Sequence, residues 1–109
     1  MKGNSMKIVF TVPIENADAV REAAGMAGAG QVGNYTFCSF SSKGTGRFKP
    51  NKDANPAIGK VENYETVEEE RVELNCNRDK LSEVINAIKS VHPYEEVALD
   101  IYALEDIPE

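Results

Sequence analysis

The segment from residue 77 to residue 91 places the strongest constraint on the fold, because its apolar side chains recur at helical spacing along one stripe. These side chains are Leu81, Val84, Ile85, Ile88 and Val91. His92 and Pro93 follow at once and end the helical pattern. A helix with a single apolar stripe must bury that stripe against another layer, and strand-like patterns lie on both sides of it. The segment therefore predicts a helix packed on a sheet.

Four segments have the β-branched, aromatic or alternating character of strands: residues 7–13, 34–40, 69–76 and 97–104. A second, narrower helical pattern follows the first strand, with Ala17, Val20, Ala24 and Ala27 on one face. The order is strand, helix, strand, strand, helix, strand. This order predicts an α+β, ferredoxin-like βαββαβ sandwich, in which a four-stranded antiparallel sheet carries both helices on one face.

The length and the net charge of the chain limit the number of domains and the classes of partner that are expected. A chain of 109 residues is expected to form one domain, here residues 6–105, and the first five residues, MKGNS, are expected to be a tag remnant or a frayed end.

The net charge of −6 opposes binding to a phosphate backbone, so nucleic acid is not an expected partner. No apolar stretch approaches the roughly 20 residues of a membrane span, which predicts a cytoplasmic protein without a membrane partner.

Aromatic side chains are more numerous than one helical layer can cover. Tyr35, Phe37, Phe40 and Tyr102 all fall in predicted strands. We expect the helix-free face of the sheet to pack against further copies of the chain, so a homo-oligomer is predicted.

Three motifs carry a resemblance to a known family: VGNYTFCSF, GTGRFKPNKDANPAIGKVENYETVEEERVE and AIKSVHPYEEVALDIYAL. Together they resemble the domain inserted in bacterial proteins of the Nif-three-like (NGG-one-interacting-factor-three-like) family, and the likeness runs from about Met6 to Leu104. The resemblance implies a PII-like or CutA-like fold. CutA proteins also carry a His-Pro-Tyr-Glu stretch before their last strand and form trimers, so the resemblance favours a trimer over a dimer. It also makes a Nif-three-like protein a candidate partner, although the sequence does not decide whether the chain works beside one.

The hydrolase or GTP cyclohydrolase label of that family is not expected to transfer. In the family, the two-metal site is built from histidines and acidic residues in the halves that flank the insert. This chain has one histidine and lacks those halves, so we expect no enzyme.

His92 is the first candidate site residue, with Tyr94 and Glu95 close behind it. It could serve as a proton switch, an anion ligand or a metal ligand. Alternatively, it only caps the helix by bonding a free carbonyl. If neighbouring subunits bring their loops together, Cys38, His92 and Glu95 would offer thiolate, imidazole and carboxylate, a set suited to zinc or copper.

The glycine-rich segment that begins at Lys43 is the second candidate. Basic residues cluster there in an otherwise acidic protein, interleaved with Gly44 and Gly46, whose freedom at positive φ would turn backbone amides toward an anion. PII-like proteins bind nucleotides or other small anions beneath such a loop, and the resemblance extends that expectation to this chain. A solvated basic loop is the alternative. The predicted ligand-binding residues are Gly33, Asn34, Tyr35, Gly44, Gly46, Arg47, Phe48, Lys49, His92, Tyr94 and Glu95.

The acidic run from Glu62 to Glu73 is expected to be the solvated edge and outer face of the third strand. The leading hypothesis for function is a non-enzymatic binding or regulatory module that holds a small anion or a divalent metal. The alternatives are a structural module for assembly without a ligand, and a small enzyme that uses His92 at a subunit interface.

Overall fold

A computed structural model describes residues 4–108. The strands are β1 (Ser5–Pro13), β2 (Phe40–Phe48), β3 (Glu65–Asn77) and β4 (Leu99–Ala103), and the helices are α1 (Ile14–Met26) and α2 (Leu81–Val91). A single 3₁₀ turn, Arg78–Lys80, leads into α2. The predicted order of strands and helices is confirmed. Residues 1–3 of the predicted frayed end lie outside the described residues, and β1 begins at Ser5.

The four strands form one antiparallel sheet in the order β2-β3-β1-β4, so β2 and β4 are its edges. In the centre, Ile8 pairs with Leu74 and Phe10 pairs with Val72. These side chains share one face of the sheet, and both helices bury their apolar stripes against it. The core residues are Ile8, Phe10, Val12, Ala17, Val20, Ala24, Ala29, Val72, Leu74, Cys76, Val84 and Ile88. The predicted α+β fold class is therefore confirmed.

The second strand was predicted at the wrong place. Residues 34–39 form a loop, and β2 runs from Phe40 to Phe48 through the glycine-rich segment that was expected to be a loop. Phe37 adopts a φ of +59° and lays its ring on Gly25 of α1, so its aromatic side chain covers a helix end instead of belonging to a strand. β2 is an edge strand held by backbone pairing along β3, from Phe40↔Glu73 to Phe48↔Glu65, and this pairing does not require apolar side chains.

Across the described part of the chain, neither helix has the length and apolar character that crossing a membrane would require.

Candidate functional site

A cavity of about 700 Å³ lies on the helix-free face of the sheet, at the end where the β2–β3 connection joins the two strands. Seven of its lining residues occupy strand positions whose side chains, by register, point away from the helices. These floor residues are Thr11, Ser42, Gly44, Gly46, Phe48, Glu69 and Arg71. The β2–β3 connection and the segment after α2 form the walls, through residues such as Pro50, Ala54, Pro56, Ile58, Tyr94 and Ala98. The open face thus carries a concave site with a largely apolar wall.

Two of the seven floor residues of this cavity are glycines. A Cβ built on Gly44 would meet no atom within 4 Å, so the absence of a side chain there leaves open volume. A Cβ built on Gly46 would lie 1.9 Å from Oε1 of Glu69, so this glycine makes room for the carboxylate. The expectation that these glycines use positive φ was wrong, since both lie within β2 and neither is among the positive-φ residues. Their contribution is space.

Glu69 is the buried charged group of the site. Its side chain extends over Gly46, and the residue is only 7% exposed. The hydroxyl of Tyr94 donates a hydrogen bond to Oε2 of Glu69 at 2.9 Å. Burial, together with the hydrogen bond to Glu69 and its negative charge, raises the pKa of Tyr94 well above its ordinary value. Tyr94 is therefore a stable proton donor to the carboxylate, and its ring lies 5.9 Å from that of Phe48.

His92 holds the Tyr94 segment against the sheet. Its Nε2 lies 2.7 Å from the carbonyl oxygen of Thr11 and must carry a proton, because a carbonyl only accepts. Its Nδ1 accepts the backbone N–H of Tyr94 at 3.2 Å. Both ring nitrogens are thus engaged in the neutral tautomer, and the residue is only 6% exposed.

This arrangement differs from the predicted side-chain cap. The backbone N–H of His92 bonds the carbonyl of Ile88 at 2.9 Å and ends α2, whereas the imidazole ring crosses to β1. A metal ion at His92 would have to displace one of the two ring hydrogen bonds.

Most of the predicted ligand-binding residues are brought together. The cavity is lined by Gly44, Gly46, Arg47, Phe48, Lys49, Tyr94 and Glu95. His92 lies directly behind Tyr94, with their ring centroids 5.0 Å apart. The other three, Gly33, Asn34 and Tyr35, lie exposed in the loop between α1 and β2 and do not line the cavity.

The predicted metal ligands are not gathered within one chain. Cys38 lines a separate depression of about 270 Å³ beside α1, whereas Glu95 lines the main cavity and accepts the backbone N–H of Asn55 at 2.8 Å. Within residues 4–108, no group of three or more histidine, cysteine and acidic side chains is placed to hold a metal ion. A site built from Cys38, His92 and Glu95 stays a prediction about an assembly of chains.

Sequence reasoning missed the buried carboxylate. Glu69 was assigned to a solvated acidic face, but the register places it opposite Gly44 and beneath Tyr94. The basic residues Lys43 and Arg47 alternate with the floor glycines and so project from the other face of β2. A signal was present in the sequence: a Gly-x-Gly-x-Phe alternation at residues 44–48 marks one bare face of a strand.

Comparison with solved structures identifies the fold as that of the CutA proteins. The periplasmic divalent cation tolerance protein CutA of Archaeoglobus fulgidus superposes with a TM-score of 0.68 at 16% identity, over 96% of this chain and 88% of that one. At such low identity, the likeness shows a shared fold.

Two proteins are similar in sequence as well. A Bacillus cereus protein related to NIF3 superposes with a TM-score of 0.81 at 43% identity, over 94% of this chain and 26% of that one. A protein of Halalkalibacterium halodurans named GTP cyclohydrolase 1 type 2 homolog is 49% identical over 98 residues, 90% of this chain. The chain spans about a quarter of the length of these relatives, 26% in each case. No family model matches the chain. The resemblance carried by the three motifs is confirmed.

Proposed function

We propose that this chain is a small-ligand-binding or regulatory module without catalytic activity of its own. The observation that carries the proposal is the cavity on the helix-free face, whose volume of about 700 Å³ falls in the range typical of small-molecule sites. Its floor is bare at Gly44, and its wall combines aromatic and aliphatic side chains with a few polar groups. Sites for small organic molecules have this composition.

The enzymatic alternative has less support from the geometry. A general base needs a free lone pair within reach of the substrate. His92, the only histidine of the chain, is buried and uses Nδ1 as an acceptor for Tyr94 and Nε2 as a donor to Thr11. The name GTP cyclohydrolase 1 type 2 homolog describes relatives of which this chain spans about 26%, and our proposal does not extend that activity to this chain.

The ligand is an organic molecule in this proposal, in preference to a bare metal ion. A divalent metal would need the ring nitrogens of His92, and both are engaged. An anion would rely on basic residues of β2, yet Lys43 and Arg47 project away from the floor and Lys49 stacks on the ring of Tyr64 at 5.1 Å. These contacts favour a ligand that is recognised by shape and by the carboxylate of Glu69.

We also propose that the chain self-associates, with a trimer as the leading possibility. Aromatic side chains outside the cavity remain uncovered: Tyr35 is 74% exposed, Phe40 70% and Tyr102 48%. Such a concentration of exposed aromatic surface is typical of an interface. Native mass spectrometry should then find more than one chain per particle, and a monomer at micromolar concentration would contradict this part of the proposal. A NIF3-related protein as a further partner stays a prediction.

A variant whose side chain fills the cavity tests whether the cavity is the binding site. Gly44→Leu should place its side chain in the open volume without a clash, and Thr66→Leu puts the same side chain at an exposed position on the other face of β3, outside the cavity lining, as a control. A set of aromatic fragments is screened against isotope-labelled protein by NMR. We expect fragments to shift the amides around the cavity, to lose affinity for Gly44→Leu and to keep it for Thr66→Leu. If no fragment shifts these amides, or if binding survives Gly44→Leu unchanged, the cavity is not the binding site.

A further inference from the structure

We infer that the ligand of this cavity carries a planar cationic group, such as an amidinium or guanidinium, on a flat apolar body, and that Glu69 binds the cation. This inference rests on the proposed function, because it names the class of ligand for the same cavity.

Glu69 has no basic partner within residues 4–108. The basic residues that form ion pairs within residues 4–108 are Lys7, Arg21, Arg71 and Lys80, and their partners are other carboxylates. Among residues 4–108, the neutral hydroxyl of Tyr94 is the only side-chain donor to Glu69, and Glu69 is 7% exposed. A buried carboxylate without a cation is costly, and a cationic ligand would offset that cost.

The two oxygens of the Glu69 carboxylate differ in their surroundings. Oε2 accepts the bond from Tyr94, whereas Oε1 lies over Gly46, where a Cβ would come within 1.9 Å. In the described part of the chain, no protein group donates to Oε1. A carboxylate with one open oxygen beside a bare strand suits a planar donor group that can lie flat on the floor.

Other carboxylates and two aromatic rings also surround the cavity. Glu95 and Glu96 line its rim, and the protein as a whole carries −6. Lys43, Arg47 and Lys49 line the cavity as well, but the register turns the side chains of Lys43 and Arg47 to the other face of β2, and Lys49 lies over the ring of Tyr64. Arg71 is the basic residue on the floor, and its Nε lies 3.3 Å from the carboxylate of Glu73. The rings of Phe48 and Tyr94 provide the flat apolar wall that an aromatic cation would contact.

Three compounds of the same shape and different charge test the inference: benzamidine, benzamide and benzoate. Each is titrated into the isotope-labelled protein, and the amide shifts of Gly44, Gly46 and Tyr94 are followed. We expect benzamidine to bind most tightly, and Glu69→Gln to weaken it by roughly tenfold to a hundredfold, as expected for a lost charged hydrogen bond. Benzamide should be affected far less. Glu68→Gln, which removes a charge from the neighbouring residue on the other face of β3 and outside the cavity lining, is the matched control and should leave benzamidine binding nearly unchanged.

The outcomes separate this inference from the proposed function. If benzoate or benzamide binds as tightly as benzamidine, or if Glu69→Gln leaves benzamidine binding unchanged, the inference of a cationic ligand is wrong and the cavity remains a binding site. If none of the three compounds shifts the cavity amides, both the inference and the cavity as a site for such molecules fail. The ranking of the compounds on the unaltered protein decides the question even if Glu69→Gln does not fold.

Discussion

Removal of the His92 side chain should destabilise the protein far more than loss of a helix cap. The ring joins three elements: it follows α2, donates to the Thr11 carbonyl of β1 and accepts the N–H of Tyr94. It also packs edge-on against Phe10, with ring centroids 6.5 Å apart. His92→Ala would remove the ring partner of two backbone groups at a position where His92 itself is only 6% exposed.

The size of the effect follows from those two groups. Each buried, unpaired backbone group costs about 1–3 kcal/mol, and the lost ring contacts add to this. We therefore expect His92→Ala to lower the free energy of unfolding by roughly 2–5 kcal/mol. In a domain of this size, such a loss corresponds to a fall in Tm on the order of 10–20 °C. A residue that only capped a helix would cost about 1 kcal/mol.

Two conservative variants make the test specific. His92→Gln can place an amide donor near the Thr11 carbonyl but offers no acceptor at the position of Nδ1. His92→Asn can place an amide oxygen near the N–H of Tyr94 but offers no donor at the position of Nε2. Urea unfolding at a fixed protein concentration should rank both variants between the wild type and His92→Ala. If His92→Ala loses less than about 1 kcal/mol, or if both conservative variants are as unstable as alanine, the two hydrogen bonds do not hold this segment.

Two other predictions concern the remaining contacts of the site and of the loop before β2. Because the folded protein raises the pKa of Tyr94 above its ordinary value of 10.0, the stabilisation from the protonated hydroxyl is complete below that pH and is lost as the pH rises beyond it. The urea midpoint of the wild type should thus fall above about pH 10 more steeply than that of Tyr94→Phe, and equal slopes would contradict the hydrogen bond. Gly25→Ala should destabilise α1 despite a gain in helix propensity of about 1 kcal/mol, because the new Cβ would lie 2.1 Å from the ring of Phe37. Adding Gly25→Ala to Phe37→Ala should instead raise the Tm, and a further loss in the double variant would show that the ring is not the obstacle.

The parts of the fold that could be predicted are those whose side chains build the core. In α2, Val84 and Ile88 are fully buried, and their spacing marks the helix. In β3, Val72 and Leu74 are buried on the helix side, and their alternation marks the strand. The same burial that stabilises these elements produces the pattern in the sequence.

The position of β2 could not be predicted by the same reasoning. An edge strand on this sheet needs only backbone pairing with β3, and its floor positions must stay small to leave the cavity open. Gly44 and Gly46 leave the space that the cavity and Glu69 occupy. Because glycine has no side chain, they also remove the alternating apolar pattern by which a strand is recognised in a sequence. Tyr35 and Phe37, which do have strand character, lie in the preceding loop. The residues that keep the candidate site open are therefore the same residues that prevent β2 from being recognised in the sequence.

The three adjacent glutamates of β3 show why the site could not be completed from the sequence. Glu68 is exposed and accepts a hydrogen bond from the hydroxyl of Thr45 at 3.0 Å. Glu70 lies on the helix face and pairs with Arg21 of α1. Glu69, between them, lies on the opposite face and is buried in the cavity without a basic partner among residues 4–108. Because side chains alternate along a strand, each carboxylate meets a different environment, and the cross-strand neighbour determines whether its charge is solvated, paired or left for a ligand. A run of identical residues gives no indication of this difference until the register of the sheet is known.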